Sequence, residues 1–167
     1  MPLLSLAMFR RMALLYFFSF VSLHAYAGDG KLIGTAGLNQ IEGAGGGGLV
    51  PWATLSGYDS REQTSGNAFA TYVNVDDYRL KVLGASVSLY DRVELSVARH
   101  TFDLTTLGPQ INQTIIGAKI RLTGDVIYSP WPQISAGVQY KRLDNVAIAR
   151  SLGSQRDTDV DYYIAAT

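Results

Sequence analysis

Leu83-Gly84-Ala85-Ser86-Val87-Ser88-Leu89 alternates strictly between aliphatic side chains and small or hydroxylated ones. The same period of two returns in Gln133-Ile134-Ser135-Ala136-Gly137-Val138-Gln139-Tyr140. Successive side chains of a strand point to opposite faces, so each stretch has one oily face and one that suits water. A sheet divided in this way needs apolar material against the oily face, and it must hide its edges. In an exported chain a closed barrel in an outer membrane meets both needs.

Outward from these two stretches, the pattern predicts eight strands: Lys31–Asn39, Leu49–Tyr58, Asn67–Asp76, Leu80–Tyr90, Val93–Phe102, Gln113–Leu122, Pro132–Arg142 and Val160–Thr167. No helical period stands out. Asp91-Arg92 and Asp77-Tyr78-Arg79 read as tight turns, whereas Asp103–Asn112 and Leu143–Asp159 read as longer polar loops. The fold class expected is all-β, an antiparallel up-and-down transmembrane β-barrel. Trp52, Tyr58, Tyr72, Tyr78, Tyr90, Phe102, Tyr128, Trp131 and Tyr140 cluster near strand ends. Tyr and Trp favour the level where hydrocarbon meets headgroups, so girdles are expected there.

Charged residues inside the strands sharpen the sidedness. A Lys or Arg facing lipid near the midplane costs ~2–4 kcal/mol, so Glu94, Lys119, Arg121, Gln139 and Lys141 are expected to face the lumen. There the charged members of the set would tune ion preference. Val93, Leu95, Val97, Ile116, Ala118, Ile120 and Leu122 then face lipid. Arg99 falls on the lipid side of this parity, which calls for an interfacial position or a bulge.

Residues 1–27 read as a signal peptide. Arg10 and Arg11 precede the apolar core Met12–Leu23, and Ala25-Tyr26-Ala27 supplies a small-x-small cleavage site. The apolar core is shorter than the roughly 20 residues of a membrane-spanning helix. The expected domains are therefore the signal peptide, 1–27, and a β-barrel, 28–167. Cleavage would leave 12 basic residues against 14 acidic ones, a formal charge of −2. That balance offers no basic stripe for nucleic acid. The absence of cysteine excludes disulfides, thiolate metal sites and a lipid-carrying N-terminal cysteine.

Little in the chain speaks for chemistry. Gly43–Gly48 has the composition of a phosphate-cradling loop, but it leads into the extended run Leu49-Val50-Pro51-Trp52 rather than a helix. Asp157-Thr158-Asp159-Val160-Asp161 begins like a calcium loop, yet Tyr162 stands where the turn requires glycine. His100 is the one histidine beyond the signal peptide, and no Gly-x-Ser-x-Gly elbow accompanies it. No catalytic residue, metal or cofactor is expected.

Gln40-Ile41-Glu42-Gly43-Ala44-Gly45-Gly46-Gly47-Gly48-Leu49-Val50-Pro51-Trp52-Ala53 resembles the opening of an uncharacterised proteobacterial family, domain of unknown function 3034. Val75–Leu80, Leu89–Ser96, Pro132–Lys141 and Val160–Thr167 resemble it too. The resemblance implies an outer-membrane barrel-like protein with no assigned activity and no functional residues to carry over. Members of that family are longer, and this chain ends at Ala165-Ala166-Thr167 without a terminal aromatic. The expectation is thus an N-terminal fragment of a larger barrel, with a complete eight-stranded barrel as the rival.

The function expected is that of a bacterial outer-membrane β-barrel, in porin-like passive diffusion or a structural role. Its partners would be outer-membrane lipid, the barrel-assembly machinery and periplasmic chaperones. The alternative is a soluble periplasmic lipocalin-like binding barrel with its aliphatic face turned inward.

Overall fold

The computed structural model describes residues 38–57, 59–104, 110–144, 146–151 and 153–167. The signal peptide and the strand expected from Lys31 lie outside these residues, apart from Leu38 and Asn39. Of those two, Asn39 forms an isolated bridge with Gly45.

Six long strands make one antiparallel sheet in which each pairs with its neighbour in sequence. They are β3 (Thr64–Asn74), β4 (Tyr78–Leu89), β5 (Val93–Leu104), β6 (Ile111–Thr123), β7 (Ile134–Leu143) and β8 (Thr158–Ala166). Before them, β1 (Gly46–Gly47) and β2 (Val50–Pro51) form a two-residue hairpin of their own. The β7–β8 connection carries one short helix, α1 (Ala147–Ser151), too brief to leave a helical period in the sequence.

Turn chemistry fixes the register. Val75 and Tyr78 exchange backbone bonds around Asp76-Asp77, one residue earlier than the turn expected at Asp77–Arg79. Between β4 and β5, Tyr90 and Asp91 both take positive φ, 55° and 51°, and Arg92 N–H donates to Leu89 O. The turn thus centres on Tyr90-Asp91 rather than on Asp91-Arg92. Such φ values are uncommon without glycine and cost about 1 kcal/mol or more each. Tyr90 N–H donates to Gln63 O, Asp91 N–H donates to Asp59 Oδ2 at 2.6 Å, and the Asp91 carboxylate pairs with Arg121 at 2.7 Å. These bonds hold the turn in its strained form.

The sheet has two unlike faces. On the open face the register sets side chains in rows across β4 to β8. One row is Ala85, Val97, Ile116, Tyr140, Val160; the next is Val87, Leu95, Ala118, Val138, Tyr162; a third is Leu89, Val93, Ile120, Ala136, Ile164. Many of these aliphatics are exposed: Ile116 is 56 % accessible and Ile164 78 %. The other face carries Ser86, Ser88, Glu94, Ser96, Lys119, Arg121, Ser135 and Gln139, all buried. Buried apolar residues, Val82, Ala98 and Ile115, stand among them.

The cover over this polar face comes from residues 38–57, with Asp59 beside them. Here the structure departs from expectation, because the described part of the strand expected over Leu49–Tyr58, residues 49–57, does not join the sheet. Only Val50–Pro51 is extended, and Ala53 to Gly57 are buried in an irregular path across the polar face. Pro51 removes a ladder donor, and the preceding glycines favour turns over pairing. Among the described residues the sheet therefore holds six strands; of the eight expected, the one over Leu49–Tyr58 does not join it and the one over Lys31–Asn39 lies outside the described residues but for its last two. Among the described residues β3 and β8 are its edges, each paired on one side.

Arg99 needs no bulge. The pairing of β5 runs without a break from Val93 to Leu104, and Arg99 stays on the open face, paired with Asp144 at 3.1 Å. The sheet's irregularity falls in β6 instead, between Arg121 and Thr123. β8 begins at Thr158, two residues ahead of the strand expected from Val160, so most of the stretch Asp157–Asp161 that begins like a calcium loop is strand, with Asp161 2.8 Å from Lys141.

Candidate functional site: the polar cradle for residues 39–57

At the centre of the covered face stand Glu94 of β5 and Lys119 of β6, cross-strand partners whose side chains are each 1 % exposed. Their charged atoms lie 3.1 Å apart. Buried charges require both a counter-ion and hydrogen bonds for their remaining valences. The inward segment supplies those bonds from its backbone. Glu94 Oε1 accepts from Gly45 N–H at 2.8 Å and Oε2 from Ser56 N–H at 2.7 Å. Lys119 Nζ donates to Gly45 O at 2.9 Å and Thr54 O at 2.7 Å, with Trp52 O at 3.3 Å. One ion pair thus clamps both arms of the β1–β2 hairpin.

Neighbouring strands extend the clamp. Gln133 Nε2 and Ser135 Oγ both donate to Ala53 O, at 2.8 and 2.5 Å. Asn39 Nδ2 donates to Ser86 Oγ, which also bonds Ser56 Oγ and Asn67 Oδ1. His100 Nε2 meets Ile41 O at 2.7 Å. Loop carbonyls and amides that burial would otherwise leave unpaired are satisfied by side chains.

The glycine run earns its composition here. A Cβ on Gly45 would stand 2.7 Å from Ser56 N and 2.8 Å from Glu94 Oε2, so no side chain fits between the segment and its clamp. Gly43 and Gly48 take φ of +106° and +64°, the left-handed region that turns the chain into and out of the hairpin. No helix follows the run, and its amides are already engaged within the chain: Gly45 N–H donates to the Glu94 carboxylate, and Gly43 and Gly46 N–H donate to Gln40 O and Leu38 O.

Toward the end of the sheet that bears the β7–β8 loop, Lys141 lies between Glu42 of the segment and Asp161 of β8. It is less enclosed than Lys119, with its side chain 18 % exposed. Beside it opens a cleft of about 420 Å³ lined by Gln113, Arg156, Asp157 and Asp159 among others. At the opposite end Arg121 binds Asp91 and, at 3.4 Å, Asp125.

All five residues singled out from the sequence therefore share the covered face. Glu94 and Lys119 are joined to each other and to the segment, Lys141 joins the segment to β8, and Arg121 secures two turns. Gln139 is buried beside them, and its Nε2 has no hydrogen-bond partner among the described residues. Sequence reasoning missed Gln133, Ser135, Ser86 and Asp59 as anchors. Their signal lay in the alternation itself: small hydroxyls and amides repeated along one face suit a backbone laid across it as well as they suit water.

No curated protein and no solved structure is similar to this chain at a meaningful level. The sequence pattern of one family, described as a protein of unknown function (DUF3034), runs through residues 35–167. That span takes in the inward segment, its cradle and every strand of the sheet, and this chain belongs to that family.

Proposed function

We propose that this chain forms the wall of a bacterial outer-membrane β-barrel whose lumen is narrowed from within by residues 39–57. One observation carries the reading: aliphatic rows are exposed on one face of the sheet while charged and hydroxylated side chains are buried on the other. A water-soluble sheet reverses that division. A lipid-facing wall requires it.

Supporting features agree in scale. The six strands run to between 9 and 13 residues, long enough for tilted strands that cross hydrocarbon. Tyr72, Tyr90, Tyr128 and Trp131 are exposed near the ends of the sheet, where headgroups would meet them. Outer-membrane barrels start at about eight strands, so β3 and β8 take further partners to complete the ring. The activity that suits such an arrangement is passive passage of small solutes. Lys141, Glu42 and Asp161 at one mouth are better placed to bias ions than the fully engaged Glu94–Lys119 pair. A soluble binding barrel would need Val97, Ile116 and Val160 around its ligand, and these residues point away from the covered face.

The absence of native cysteine makes the test clean. Single cysteines placed at Leu95, Ile116 or Ser96 are exposed to a bilayer-confined thiol reagent in isolated outer membranes. Labelling at positions 95 and 116 but not at 96, together with heat-modifiable gel migration, is the expected result. Release of the chain by osmotic shock, with no heat shift, would overturn the reading.

A further inference from the structure

The open face is not uniformly aliphatic, and its exceptions gather at one level. The row next to Ala85–Val97–Ile116–Tyr140 reads Leu83, Arg99, Thr114, Arg142, and Lys81 stands one row beyond it on β4. Arg99 and Arg142 sit two strands apart, about 10 Å at the usual strand spacing, and Lys81 lies roughly 8 Å diagonally from Arg99. Asp144, just past β7, holds the pair together: Arg99 reaches its Oδ2 at 3.1 Å and Arg142 its Oδ1 at 3.3 Å. The Asp144 backbone is fixed by its N–H bond to Asn112 O at 2.9 Å. The carboxylate is 22 % exposed, but the two arginine side chains are 57 % and 58 % exposed. Two guanidinium groups thus share one carboxylate while more than half of each arginine side chain stays exposed. On the open face near this level Arg79, Lys81, Arg99 and Arg142 outnumber Asp103 and Asp144.

We propose that Lys81, Arg99 and Arg142 form a binding site for the phosphate groups of a diphosphorylated glycolipid headgroup of the lipid A type. The proposal rests on the membrane reading above. An arginine at the midplane would be costly, but at the hydrocarbon boundary the cost falls to about 0–1 kcal/mol, and a phosphate there converts it to a gain. Planar guanidinium forks match phosphate oxygens in pairs. Cations spread over about 10 Å suit a headgroup with two phosphates better than a phospholipid with one. This level also adjoins the β7–β8 connection, the longest between the described strands, and the longest connections in outer-membrane barrels face outward, toward the leaflet rich in such glycolipid.

The full chain is folded into uncharged detergent micelles and titrated with diphosphoryl lipid A, its dephosphorylated form and phosphatidylglycerol, with bound lipid counted by native mass spectrometry. Diphosphoryl lipid A should bind at least tenfold more tightly than either of the others. Lys81→Gln/Arg99→Gln/Arg142→Gln should lose that preference while keeping heat-modifiable migration. Asp144→Asn, which removes an acid and keeps every cation, should bind as tightly or more so; the single Lys81→Gln should weaken binding several-fold should the triple variant not fold. Equal binding by the folded triple variant, or equal binding of phosphatidylglycerol, overturns the site. Absence of a heat shift in the unaltered chain overturns the membrane reading and this site with it.

Discussion

The two faces of the six-stranded sheet share one backbone and alternate residue by residue, yet they solve opposite problems. On the covered face nearly every polar group is matched: Glu94 and Lys119 neutralise each other, and Gly45, Ala53, Thr54 and Ser56 supply the bonds that burial demands. On the open face Val97, Ile116, Ile120 and Ile164 are exposed and matched by nothing among the described residues. The lesson is that burial and polarity are decoupled here. Directional bonds organise the interior, and the surrounding medium organises the exterior. Substitutions on the two faces should therefore respond to different variables.

The largest effect belongs to the covered face. Lys119→Ala leaves Glu94 as a buried charge without its counter-ion and should cost about 3–5 kcal/mol. Chemical denaturation would measure the loss, and accelerated amide exchange at Gly45 and Ser56 would locate it. The double change Glu94→Gln/Lys119→Met should cost less than the sum of its parts, because no orphaned charge remains. Next comes the open face. Leu95→Arg, in the middle aliphatic row, should cost about 2–4 kcal/mol when the chain is folded into bilayers. Equal stability of Leu95→Arg and the unaltered chain in bilayers would break the contrast between the faces.

Smaller effects test how closely the segment fits. Gly45→Ala drives a methyl group against Ser56 N and Glu94 and should cost about 1–3 kcal/mol, with the segment's protection from exchange lost before that of the strands. Ser135→Ala should cost only about 1 kcal/mol, since Gln133 still donates to Ala53 O. A Ser135→Ala loss as large as that of Lys119→Ala would show that the ion pair is not the centre of the clamp.

The alternation made the sheet legible before any coordinates. Each of the six strands lies where period two places it, with ends shifted by a few residues. Thr64-Ser65-Gly66 escaped notice because every member is small or polar, so the extended start of β3 carries no contrast between faces. Residues 49–58 misled for a different reason. Leu49-Val50-Pro51-Trp52 has strand composition, but the path of the segment is dictated by bonds to β5, β6 and β7, partners at least 38 residues away in sequence that no local pattern encodes. Arg99 was legible as an anomaly and illegible as a pair, because Asp144 reaches it from beyond the end of another strand. The shared face of Glu94, Lys119, Arg121, Gln139 and Lys141 followed from parity. That a stretch of the chain's own backbone lies against them did not.

The inward segment is anchored over long distances along the polypeptide: 49 residues separate Gly45 from Glu94, 65 separate Thr54 from Lys119, and 82 separate Ala53 from Ser135. Its attachment points do not exist until β5, β6 and β7 have zipped together, and hairpins with adjacent partners close faster than such distant contacts. What the ribosome makes early must therefore wait to be seated. Maturation ends with the arrival of the stretch that emerged ahead of the whole sheet, and an assembly arrested one step short would be a finished sheet with its polar face bare.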